Sequence, residues 1–229
     1  MPELGEPVVK IRNLTVKFRY NVALSDINLE IGRGRTLLLG SNGSGKTTLM
    51  KVLSGLHRPT EGSVEVLGLD PFGEPSELYS RMLYVRDIED LAYMVRVSTL
   101  VELLSDVYGV GRVDKALKTL ELEEHLFKRV GELSKGLRRR VAMIEPLSSK
   151  TELIMMDEPF SGLDAESRIV IAKALSKLSK GVSLIIASHI PINLETDQIV
   201  VLEGGKLTYN GPYNETVAKK YLAWMDALT

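Results

Sequence analysis

The sequence predicts an α/β fold with a mostly parallel sheet and helices on both of its faces, and three observations predict it. Strand-like and helix-like segments alternate along the 229 residues. The strand-like runs at 36–39, 152–156 and 183–187 are mostly apolar throughout, as strands covered by helices from two sides must be. The first of them runs directly into a glycine-rich turn that opens an amphipathic segment, giving strand, loop and helix in succession.

Each element has its own signal. Alternating apolar and polar residues predict a strand over 8–18, and Ile27, Leu29 and Ile31 a second before the turn at Gly32-Arg33-Gly34. After the first helix, Gly55 marks its end, Pro59-Thr60-Glu61-Gly62 a turn, and 63–67 a short strand ending at Gly68. Residues 70–75 read as a loop and 82–85 as a strand. From 87 to 149 the spacing turns helical, through Val101, Leu104, Val107 and Tyr108, then Val113, Ala116, Leu117 and Leu120. A third helix runs from Leu137 through Val141, Ile144 and Ser148. Asp164 predicts the cap of a helix reaching about 180, and Gly204-Gly205 the turn of a hairpin between 198–203 and 206–210. The last helix places Val217, Tyr221, Trp224 and Leu228 on one face, which reads as core packing.

Composition narrows the function classes. With 29 basic and 30 acidic residues the net charge is -1, which gives no reason to expect nucleic acid as a partner. The one basic run, Arg138-Arg139-Arg140, fans around a helix and reads as a solvated face. There is no cysteine, so disulfides and thiolate metal sites are excluded. The first residues lack the basic start and apolar core of a signal peptide, and no window nears about 18 apolar residues. The expectation is a cytosolic protein with no direct membrane insertion.

The chemistry centres on Gly40-Ser41-Asn42-Gly43-Ser44-Gly45-Lys46-Thr47-Thr48, which fits G-x-x-x-x-G-K-[ST]. Its glycines let backbone N–H groups turn around an anion, and the helix N-terminus adds partial positive charge. Lys46 is placed to reach the β- and γ-phosphates of a nucleotide, and the Thr47 hydroxyl to ligate Mg²⁺. A second apolar strand ends in Asp157-Glu158-Pro159, at the sheet edge where ligands of open α/β folds bind. There Asp157 is placed to hold Mg²⁺ and Glu158 to orient and deprotonate the attacking water. His189 ends a third strand at that edge, where it can hydrogen-bond the γ-phosphate or the water.

With those residues in this order, the sequence resembles the ATP-binding cassette (ABC) ATPases over nearly the whole chain. The family's signature, usually Leu-Ser-Gly-Gly-Gln, appears as Leu133-Ser134-Lys135-Gly136-Leu137, and Ser161-Gly162-Leu163-Asp164 resembles its D-loop. Phe18 lies where the family stacks an aromatic ring on adenine, with Tyr20 a near alternative. The resemblance implies a P-loop NTPase core with an N-terminal antiparallel β subdomain, formed by 1–86 and 150–229, and a helical signature lobe at 87–149. It further implies ATP and Mg²⁺ as ligands, and a head-to-tail dimer with an identical or related second ATPase subunit. In that dimer Ser134, Lys135, Gly136 and Asp164 belong to the nucleotide clamp. Transmembrane permease subunits are the implied partners, holding the protein at the cytoplasmic face of the membrane.

Two departures stand out. Where the family places a glutamine after the strand at 82–85, this chain has Arg86-Asp87, and its one glutamine is Gln198. Lys135 and Leu137 replace a glycine and a glutamine of the signature; Lys135 either neutralises phosphate charge or points to solvent, and solvent is favoured because the helix end already supplies donors. The alternatives to a transport motor are a cassette of a non-transport system and a switch that binds ATP but scarcely hydrolyses it. The shortness of the helical region leans mildly towards an exporter-type cassette.

Overall fold

A computed structural model describes residues 6–86, 93–179, 181–190 and 194–222. The first strands, β1 (Val9–Phe18) and β2 (Asn21–Ile31), form an antiparallel hairpin, and β4 (Glu61–Val66) joins the other edge of β1. The second sheet holds β5 (Met82–Val85), β6 (Leu153–Asp157), β7 (Ser183–Ser188), β3 (Arg35–Leu39), β8 (Gln198–Glu203) and β9 (Lys206–Pro212), in that spatial order. All its neighbours run parallel except the β8–β9 hairpin.

Alternation along the parallel strands divides the interior into two cores. Leu38, Met155, Ile185 and Val200 face one side, where they meet the antiparallel sheet, α1 (Lys46–Leu53) and α2 (Pro75–Arg81). Leu39, Met156, Ile186 and Val201 face the other. That side is covered by α3 (Val97–Tyr108), α4 (Val110–Thr119), α5 (Lys135–Ala142), α6 (Ile144–Ser148), α7 (Ala165–Ser176) and α8 (Glu215–Leu222). Burial on both faces is why these strands are apolar at successive positions rather than alternate ones.

The structure corrects several expectations. Residues 75–81 form α2, with Pro75 in its first turn, where a missing N–H costs nothing. The helix expected from Leu137 to Ser148 breaks at Met143, because Pro146 lacks the N–H that would bond Ala142 and its ring crowds that carbonyl. The helix after Asp164 ends at Ser176, short of 180. The arginine run is not a solvated face: Arg139 and Arg140 are buried, because α5 packs against α7 and its basic side is covered. Arg140 is paired with Glu121 and Glu166 at 3.1 and 2.8 Å, and Arg138 donates to the Leu133 carbonyl and lies over the Tyr93 ring. In α8, Val217 packs against the helix-side core, whereas Trp224, Leu228 and the Tyr221 side chain lie outside the described residues. Among the described residues no helix is long and apolar enough to cross a membrane.

Leu39 is fully buried at the end of the central strand, directly before the glycine loop. Leu39→Ala is expected to cost about 2–5 kcal/mol through lost burial and a residual cavity. Urea unfolding of the purified chain measures it.

Candidate active site

Parallel register brings the three motifs to one level. Leu39 pairs with Ser188 across β3 and β7, and Asp157 pairs with Ala187 across β6 and β7. The residues that follow, Gly40, His189 and Glu158, therefore leave adjacent strands together at the carboxyl edge.

The loop from Gly40 wraps into α1, whose first residue is Lys46. Gly45, the residue before it, has φ +104°, and a Cβ there would stand 2.8 Å from the Ala23 carbonyl oxygen of β2. Only glycine suits both the backbone and the space. The tip of the β8–β9 hairpin closes the far side: Gly205 N–H donates to the Ser44 carbonyl at 3.1 Å, and Ser25 N–H donates to the Gly205 carbonyl at 2.8 Å. Inside the loop, the Ser44 hydroxyl is buried without a hydrogen-bond partner among the described residues. A buried hydroxyl in a glycine-rich loop fits an anionic oxygen acceptor.

Lys46 is 5 % exposed, so its ammonium must be compensated. It donates to the Gly40 carbonyl at 2.7 Å and to that of Ser41 at 3.2 Å, and lies 3.5 Å from Glu158. Glu158 in turn meets His189 Nδ1 at 2.6 Å. Lys46, Glu158 and His189 thus form one chain of contacts across three strand ends. Glu158 has φ +49°, a left-handed conformation costing a non-glycine residue about 1 kcal/mol or more. Its N–H donates to the Ala187 carbonyl at 2.9 Å, which fixes that conformation against β7.

Asp157 is buried beside it, and Thr47 is exposed in the first turn of α1. Tyr84 of β5 is a neighbour the sequence reading missed. It lies opposite Met155, on the face of the sheet that carries Asp157. Burial first, and then the Asp157 carboxylate, push its phenol well above the usual range, so it stays a neutral O–H donor to that carboxylate. No sequence motif signals it, because it follows from the parallel pairing of β5 with β6.

Ser134 caps α5, its Oγ accepting the Leu137 N–H at 3.2 Å, so the hydroxyl proton remains available to another acceptor. Gly136 is buried against the start of α7, and a Cβ there would fall 2.7 Å from Asp164 Oδ2 and still closer to Ser167 Oγ. Asp164 caps α7 by accepting from Ser167 N–H at 2.8 Å and from its hydroxyl at 3.2 Å. These bonds hold its carboxyl below the usual range, so the cap is complete at neutral pH and is lost as pH falls through that lowered value. Lys135 is exposed, but its ammonium end is laid over Gly162, 2.5 Å from where a Cβ would stand. Phe18 is half-exposed and packs at a tilt of 34° against His57 with ring centroids 4.9 Å apart, while Tyr20 projects into solvent beside Arg19. Arg86 is exposed, and Asp87 lies outside the described residues.

A glycine loop on the central strand of a parallel sheet, with a lysine at its base answered by a carboxylate from a neighbouring strand, is how P-loop nucleoside triphosphatases hold phosphates. This chain is one of them. Its family is equally definite: residues 24–161 match the family model described as ABC transporter, and the chain belongs to that family. It is 32% identical to the manganese transport system ATP-binding protein MntB of Halalkalibacterium halodurans, over 94% of this chain and 92% of that one. It resembles the structure of cbiO1 from Clostridium perfringens, part of the transporter complex cbiONQ, with TM-score 0.79 and 27% identity over 97% and 95% of the two chains. The ATP-binding cassette MJ0796, solved as a dimer in a post-hydrolysis state with ADP and Pi, matches with TM-score 0.77 and 26% identity over 90% and 99%. The protein is the ATP-binding and ATP-hydrolysing subunit of an ABC transporter.

Gly136→Ala is expected to destabilise the chain by about 1–3 kcal/mol by forcing α5 away from Asp164 and Ser167. Thermal unfolding of the two proteins, compared at one pH, checks it.

Proposed function

We propose that this chain binds ATP with Mg²⁺ in the glycine loop and hydrolyses it between two cassettes, using Glu158 as general base. The observation that carries the reading is the contact chain from Lys46 through Glu158 to His189 at the loop's base. Backbone N–H groups of 40–48, the α1 N-terminus and the Lys46 ammonium bind the phosphates. Thr47 and Asp157 are the residues to hold Mg²⁺, with Tyr84 orienting Asp157. When bound, the ion neutralises charge on the β- and γ-phosphate oxygens.

Glu158 accepts the proton of the attacking water. His189 donates its Nδ1–H to that carboxylate, which leaves Nε2 of the neutral ring as an acceptor for the water; to reach a γ-phosphate oxygen the ring must carry a second proton. Phe18 supplies a face for adenine. From a second cassette, identical or related, the Ser134 hydroxyl and the N-terminus of α5 close over the γ-phosphate, with Lys135, Gly136 and Asp164 framing them. Residues 87–149 act in this scheme as the signature lobe, moving against a core of 1–86 and 150–229. Membrane permease subunits receive that movement at the cytoplasmic face and determine the cargo. A manganese system and a bacitracin system among the relatives support a role in transport without choosing a substrate.

Glu158→Gln is expected to lower ATP turnover by about 10²–10⁴-fold while leaving ATP binding intact. The ATP-bound variant should then persist as a dimer in size-exclusion chromatography. Turnover within a few-fold of wild type would remove Glu158 as the base and favour a nucleotide switch.

A further inference from the structure

A second site lies at the opposite end of the fold's helical side, where α4 and α6 meet the end of α7 and the approach to β7. The surface forms there a half-open cavity of about 340 Å³. That is within the range of small-molecule pockets, about 300–1,000 Å³. Leu147, Leu178 and Val182 line it with apolar surface, all half-buried. Arg112, Lys115 and Lys177 stand around the same space.

Charge is what distinguishes this cavity from an ordinary packing defect. No carboxylate lines it among the described residues, and neither Lys115 nor Lys177 forms an ion pair among them. Arg112 is anchored, its guanidinium donating to the Ser148 and Ser149 carbonyls at 3.4 and 3.3 Å. Those carbonyls belong to the end of α6, so Arg112 offsets the negative helix terminus that would otherwise repel an anion. Three cations over an apolar floor select a ligand that carries both a negative group and a hydrophobic body.

We propose that this cavity binds a small amphiphilic anion, its head group at Lys115 and Lys177 and its apolar part against Leu147, Leu178 and Val182. The residues come from both sides of the helical face, α4 and α6 on one and the α7–β7 turn on the other. A bound molecule therefore ties the helices that precede β6 to those that follow it. The site shares no residue with the glycine loop, Glu158 or His189.

The test uses the full chain saturated with ADP and Mg²⁺, so that the nucleotide site is filled, and the fluorescent sulfonate 8-anilinonaphthalene-1-sulfonate as probe. One equivalent should bind and be displaced by octanoate, with octylammonium and inorganic phosphate much weaker competitors. The double variant Lys115→Gln/Lys177→Gln should weaken binding at least about tenfold by removing two charged partners. Thr119→Trp, which fills the cavity from the end of α4, should do the same, with ADP affinity unchanged in both proteins. Absence of probe binding, insensitivity to both variants, or equal displacement by octylammonium or phosphate would overturn the proposal.

Discussion

A lysine ammonium sealed from solvent is tolerable only where oxygen atoms surround it, and that constraint organises this molecule. The oxygens around Lys46 come from the Gly40 and Ser41 carbonyls and from Glu158, and Glu158 is held in turn by His189. These groups leave three different strands. They meet only because β3, β7 and β6 are neighbours in parallel register, ending at the same level. The two cores serve that register: shifting any of these strands by one residue would exchange the faces of Leu38 and Leu39, or of Met155 and Met156.

A second set of contacts stands apart from the cradle. Gly136 of the signature is pressed against Asp164 and Ser167, Lys135 covers Gly162, and Arg140 reaches Glu166. Two segments that resemble separate motifs are thus fastened to each other within one chain. Glycine at 136 is required here by packing inside the subunit, whatever it also offers to a nucleotide.

The phosphate loop and the Asp157-Glu158 pair stand out in the sequence as local patterns, and His189 stands out by its place at the end of an apolar strand. Partners remote in sequence do not stand out. Tyr84 beside Asp157, and Gly205 against Ser44, follow from which strands are neighbours, and a linear pattern does not state that order. Arg139 and Arg140 misled for a related reason: a charged run reads as exposed until the helix that covers it is known. The break between α5 and α6 was legible in Pro146 and was masked by apolar spacing that continued across it. The left-handed backbone of Glu158 had no signal, since it is imposed by the bond to Ala187.

The stitch between Gly205 and the loop has a consequence for how the chain matures. Residues 40–48 leave the ribosome early, yet the strands flanking β3 are β7 and β8, and the turn that braces Ser44 lies more than 150 positions later. Contacts of such long separation form slowly, because a large loop must close before any bond rewards it. A nascent polypeptide interrupted before that turn would carry every letter of the nucleotide motif and lack the brace that sets its shape.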